Sequence, residues 1–268
     1  MYSGTTFRSK SGNVIGVHQK IDRVARRHLK VLPGDDTKFP RILEILHFEG
    51  NNGPDGIKRK SPSADEPWHF IDPTDPSDTQ LTSMILDHHH NLVVALKEGN
   101  RERAAYEAAW MSHAITDGLT PAHHYRLADE IEKLWGKPKE DRQSIVDKNL
   151  IRGHGAKSNV SRNWQYWGAK GIFTTHVMFE FGIATSVKSA MFTNTLPTHE
   201  WLRQADKDGL QAVFEQAVQD VYALDMYHEY WRDGWTPKIA RKTRLKLMPI
   251  IIRTVTYAWY SALMESQR

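Results

Sequence analysis

Apolar residues recur along this chain at spacings of three and four, the period of a helix, and no segment alternates as a strand would. Val17, Ile21, Val24 and Leu29 predict a first helix over 14–32, stopped by Pro33-Gly34. A short helix over 41–48 is followed by a long polar stretch, 49–78, rich in Gly, Pro, Asp, Ser and Asn. A connection of that length is functional or disordered, and the Trp68-His69-Phe70-Ile71-Asp72-Pro73 run inside it favours the first. Helices resume over 78–98, 101–118 and 121–135. A second irregular region, 136–168, sets Lys137, Lys139, Lys148, Arg152, Lys157 and Arg162 beside Trp164, Tyr166 and Trp167. Helical spacing returns over 171–191, 198–230 and 237–265. The expectation is an all-α single domain over 1–268 with two functional loops.

Composition adds bounds. The chain has 268 residues, 40% hydrophobic and 25% charged, enough for one large core. A net charge of +4 and a sequence pI near 9.1 favour anionic partners only in a general way. Cysteine is absent, so disulfides and thiolate metal sites are excluded. No uncharged apolar run reaches the length of a spanning helix; 245–264 carries Lys246, Pro249 and Arg253 and reads as a helix of a core. The first sixteen residues lack the apolar centre of a secretory signal, so the chain as written reads cytoplasmic, or secreted if a leader is missing.

The chemistry concentrates in two short stretches. His113, Asp117 and His123 form an H-x3-D-x5-H pattern, and His176 with Glu180 forms an H-x3-E pair. Positions four apart share one helical face, so His113 converges with Asp117 and His176 with Glu180. Gly118 is expected to end one helix, and Thr120 to cap the next with Pro121 at its first position, presenting His123. Imidazoles with carboxylates are what a zinc site uses where thiolates are missing. The His88-His89-His90 run is different: neighbours on a helix point about 100° apart and do not chelate together. His28, His47, His154, His199 and His228 read as core or surface residues, and His124 as a residue that supports the ligands or is structural. No HExxH stretch supports protease chemistry.

These motifs, with His69-Phe70-Ile71-Asp72-Pro73 and Gly16-Val17-His18, make the chain resemble the zinc-dependent phospholipase C and fungal single-strand nuclease family, all-α proteins holding three zinc ions in a cleft. The resemblance runs from His18 almost to the C-terminus. The HFIDP run and Glu180 resemble the bacterial phospholipase branch; nucleases more often carry Asp at the latter position. Asp55, fourteen residues before His69, falls where the family places its first carboxylate. The resemblance implies one zinc on Asp55, His69, His113 and Asp117, a second on His123, His176 and Glu180, and a third on His18 and the other oxygen of Asp117. Members complete that third site with the amine and carbonyl of an N-terminal tryptophan. Here residue 1 is Met and no Trp precedes Trp68, so either the Met1 amine reaches in or the site is altered; the second is the expectation.

Five imidazoles and three carboxylates carry a charge of −3, so two or three zinc ions leave a positive site that draws a phosphodiester anion. Zinc lowers the pKa of bound water from 15.7 to about 7, making a hydroxide nucleophile near neutrality. Asp55 is both a ligand candidate and a candidate base. Phe70 is a candidate substrate contact. So is Glu66, which with Gly56 stands where choline-preferring relatives carry an aromatic cage. Three readings stay open: a phospholipase C-like phosphodiester hydrolase, a single-strand nuclease or 3'-nucleotidase, and a non-catalytic helical zinc-binding protein. The first two make phospholipid or nucleic acid the substrate.

Overall fold

In a computed structural model the described residues are Met1, 16–56, 69–125, 132–136, 150–151 and 155–268. Glu66, His154, Lys137, Lys139, Lys148 and Arg152 lie outside them. The helices are α1 (Val17–Leu29), α2 (Ile42–Ile45), α3 (Gln80–Lys97), α4 (Arg101–Gly118), α5 (Ala156–Trp167), α6 (Ile172–Val187), α7 (His199–Tyr222), α8 (Met226–Asp233), α9 (Pro237–Lys242) and α10 (Met248–Ser266). No described residue is in a strand, so the fold is all-α.

The middle of the molecule follows from composition. α4 carries Ala104, Ala105, Ala108, Ala109 and Ala114, all buried, which lets α3 pack closely along it. Gly99 links the pair by adopting the left-handed φ of +68° that only glycine takes freely, and the Asn100 side chain then caps α4 by accepting from the Arg103 amide at 3.1 Å. α10 lies against α1, α3, α4 and α7. Its Trp259 is fully buried and donates to the Ala108 carbonyl at 3.0 Å, while the Tyr257 hydroxyl donates to Ala205 at 2.7 Å. Each such side chain contributes about 1.5–3 kcal/mol by burial. The 245–264 stretch is thus largely core. None of the described helices is long and apolar enough to cross a membrane.

Several boundaries differ from the sequence reading. Where one helix is expected over 121–135, a 3₁₀ turn, Pro121–His124, gives way to extended backbone at Tyr125, and of the remainder 132–135 is helical as expected. Thr120 does not cap it; its hydroxyl donates back to the Thr116 carbonyl at 2.8 Å. The turn is held from outside instead, because the Ile71 amide donates to the His123 carbonyl at 3.2 Å. Within the stretch expected to be irregular, 156–167 forms α5, packed on α6. The helix expected over 198–230 breaks at Asp225, which takes a left-handed φ of 51°, and that over 237–265 carries a π-helical turn, Thr243–Leu247, between α9 and α10.

Candidate metal centre

Asp117 organises the site. It stands one turn beyond His113 on the buried face of α4, and elements distant in sequence bring it partners. Oδ2 accepts from His69 Nδ1 at 2.5 Å and lies 3.3 Å from His113 Nε2. Oδ1 accepts from the Met1 amine at 2.5 Å and lies 3.2 Å from His18 Nε2. The two oxygens therefore face two different sets of nitrogens. Asp55, on a helical turn at 54–56 and partly exposed, closes the Oδ2 side with its Oδ1 3.8 Å from His113 Nε2. His18 comes from the second position of α1, and its Nε2 lies 2.8 Å from the Met1 carbonyl. Of the two alternatives for residue 1, the amine and carbonyl of Met1 reach in.

A further group forms where the 3₁₀ turn meets α6. Glu180 Oε1 is 3.0 Å from His123 Nε2 and 3.1 Å from His176 Nε2, and the two imidazoles stack at 5.0 Å with 7° between their planes. Phe70 flanks them, its ring 5.0 Å from His123 and 6.4 Å from His176. The Met1 amine also lies 3.2 Å from Glu180, placing a positive charge where this group meets Asp117.

Among the described residues, three sets could hold a metal ion: His18 with His113 and Asp117; Asp55 with His69 and His113; His123 with His176 and Glu180. The donor chemistry suits zinc. Two ligands at 2.0–2.1 Å from a tetrahedral zinc stand roughly 3.3 Å apart. Four of the spacings, 3.0, 3.1, 3.2 and 3.3 Å, match this, and Asp55 to His113 is wider at 3.8 Å. The 2.5 Å contacts of Asp117 with His69 and Met1 are hydrogen bonds that a metal would have to open. His123 gives the sharpest test. Its Nδ1 lies 3.0 Å from the His69 carbonyl, which only accepts, so Nδ1 carries the proton and Nε2 presents a lone pair. Burial and the Met1 ammonium push His123 down to about 3, so the ring is neutral. A lone pair and a carboxylate oxygen thus face each other at 3.0 Å, an arrangement that a cation between them stabilises. Elsewhere charge is concentrated. Burial opposes the ionised form of Asp117, yet the Met1 ammonium, His123 and His113 hold it well below the usual carboxylate range. Burial likewise opposes a charged His113, but Asp117 and Glu49 raise it well above its ordinary value.

That Glu49 belongs here is not readable from the sequence, which places it at the mouth of a polar stretch. It is fully buried, with Oε2 3.4 Å from His113 Nδ1 and Oε1 without a hydrogen-bond partner. Beside it the buried Asp22 accepts from the Ser112 hydroxyl at 2.5 Å, and burial followed by the Glu49 charge raises its carboxyl well above the ordinary value. The residues read as bystanders have other partners. His124 Nε2 donates to the Gly118 carbonyl at 2.8 Å, His28 bonds Thr195 at 2.8 Å, and His88 and His89 turn to Glu107 and Ser261.

No protein-family model matches the chain, and no curated protein matches it. A solved structure does. The fold is similar to that of an alpha-toxin from Clostridium perfringens. The crystal structure of that toxin, isolated from avian strain SWCP, aligns at a TM-score of 0.51 with 13% sequence identity, over 98% of this chain and 65% of the toxin chain. The chain therefore spans about two thirds of the toxin's length, and at this identity the likeness is one of fold.

Proposed function

We propose that this chain is a zinc-dependent phosphodiester hydrolase of the phospholipase C-like kind. The observation that carries the reading is the divided use of Asp117, whose two oxygens address His69 and His113 on one side and His18 with Met1 on the other. Asp117 would then serve two ions, with Asp55 among the residues holding the first and the Met1 amine and carbonyl beside His18 for the second. His123, His176 and Glu180 would hold a third ion. Three protein donors are the number a catalytic zinc site uses, whereas a structural site uses four.

Zinc, when bound, supplies a nucleophilic water near neutral pH and positive charge for the phosphodiester. The residues do the rest. The His69 carbonyl fixes the His123 tautomer, and Phe70 covers one side of the His123–His176 pair. Asp55, the most exposed of the three carboxylates at 30%, would orient such a water and accept its proton at a carboxylate oxygen.

The test combines elemental analysis with a panel of a chromogenic diester, phosphatidylcholine and single-stranded DNA. Zinc at two or three per chain with diester turnover is expected. Cleavage of DNA alone would make the protein a nuclease, and bound zinc with no turnover would make it a helical zinc-binding protein. Asp55→Asn should lose turnover by more than its loss of zinc explains; full turnover at full metal content would end the base role.

A further inference from the structure

A face beside the centre has a composition its chemistry does not use. Val160, Trp164 and Trp167 recur at i, i+4 and i+7 on α5, and Phe173, Val177 and Phe181 at i, i+4 and i+8 on α6, so each set lines one side of its helix. All six are exposed, Val160 and Trp164 at 70% and Phe181 at 57%. The Trp167 and Phe173 rings meet at 4.7 Å, joining the two stripes into one apolar surface across both helices. His176 and Glu180 immediately precede Val177 and Phe181, so the surface borders the candidate metal centre. Contiguous apolar surface of this kind marks an interaction site.

Charge identifies the occupant. Between residues 148 and 199 the sequence contains a single carboxylate, Glu180, and it is turned towards His123 and His176. Lys157 at the start of α5 and Lys170 in the link to α6 are exposed. The two helices thus present apolar side chains flanked by Lys157 and Lys170, and neither helix carries an outward acid. We infer that α5 and α6 dock on an anionic lipid bilayer, the two tryptophans and Phe181 entering the headgroup boundary while Lys157 and Lys170 meet lipid phosphates. Tryptophan and lysine in this pairing are the mark of helices lying in a membrane interface. Single-stranded nucleic acid also meets bases with aromatics, but it gains nothing from exposed Val160 and Val177, whereas acyl chains do. The inference deepens the proposed function by naming a bilayer as the source of the phosphodiester, and it rests on that reading for this step alone.

The experiment is flotation of the full chain with phosphatidylcholine vesicles, with and without phosphatidylglycerol, alongside hydrolysis of a soluble chromogenic diester. Binding to the mixed vesicles is expected, with tryptophan fluorescence shifting to the blue and binding falling as salt is raised. The Val160→Ser/Trp164→Ser variant should bind about tenfold or more weakly. Lys157→Gln and Lys170→Gln should each cost about fivefold on mixed vesicles only. Both sets should hydrolyse the soluble diester as the parent does, which shows that they are folded. Diester turnover without vesicle binding would overturn the docking surface and leave the function standing. Vesicle binding that these substitutions weaken, with no turnover of any diester, would uphold the surface and remove the function. Binding unchanged by the substitutions, or oligonucleotide binding through these residues in place of vesicles, would overturn the inference.

Discussion

At the scale of residues, the centre depends on which side chains are held and which merely lie near. Asp117 is buried and faces both nitrogen sets, so Asp117→Asn is expected to lose at least one zinc per chain and lower kcat/KM by more than a hundredfold. Elemental analysis beside diester kinetics checks both. Glu49 tests a subtler effect. A ligating imidazole is aimed by what its other nitrogen meets, and Glu49 is what His113 Nδ1 meets. Glu49→Gln should weaken zinc binding about 10–100-fold while the helical circular dichroism is kept; an unchanged zinc Kd would leave Glu49 a packing residue. The two carboxylates also show what a sequence discloses. His113 and Asp117 are legible because a helix converts a spacing of four into proximity. Glu49 and Met1 reach the same point through space, from elements whose approach no local spacing encodes.

At the scale of elements, the long periodic helices were readable and the places where tertiary contact overrides local preference were not. The link after α4 is such a place. Gly118 is expected to be a helix stop, yet its φ is not left-handed; what it needs is room, since an added Cβ would lie 2.7 Å from Leu81 Cδ2 and from Phe214 Cζ. Helix propensity alone would make Gly118→Ala stabilising by about 1 kcal/mol. Overpacking costs about 1–3 kcal/mol, so a net loss is expected in urea unfolding. α5 escapes a sequence reading for another reason: Val160, Trp164 and Trp167 do recur at helical spacing, but the surrounding lysines, arginines and asparagines read as a polar loop. α2 is a single turn, too short to stand alone, and Glu44 anchors it by accepting from the Arg41 amide at 2.6 Å and Arg101 Nε at 2.9 Å. Burial opposes its charge, but Arg101 and Arg41 hold Glu44 at about 2. A carboxyl depressed below its unfolded value adds stability that is complete above about pH 4.5 and disappears as pH falls through about 2. Screening of this partly exposed group reduces the effect to about 1 kcal/mol. Glu44→Gln should therefore be less stable than the parent at pH 7 and equal to it near pH 2.

At the scale of the whole molecule, the candidate ligands are drawn from positions 18, 55, 69, 113, 117, 123, 176 and 180, so the centre joins α1, the 54–56 turn, the segment at His69, α4, the 3₁₀ turn and α6. In an unfolded chain these residues are scattered and bind zinc poorly, so zinc acts as a ligand of the folded state. Each ion at a free concentration a hundred times its Kd adds about 2.7 kcal/mol. Two ions then add about 5 kcal/mol, of the same order as the stability of an ordinary domain. For a chain of this size each kcal/mol moves Tm by about 2–4 °C, so chelation is expected to lower Tm by roughly 10–20 °C. Zinc should restore it. Magnesium should not, because it prefers six oxygens to imidazole. The Met1 ammonium beside Asp117 in the metal-free protein weakens zinc binding, because it must be displaced, so it enters through Kd. Asp117→Asn should shrink the chelator-induced shift in proportion to the zinc it no longer holds. A Tm that chelator leaves unchanged, while elemental analysis shows the zinc gone, would mean that these elements are packed together without help from the ions, and that zinc serves the chemistry alone.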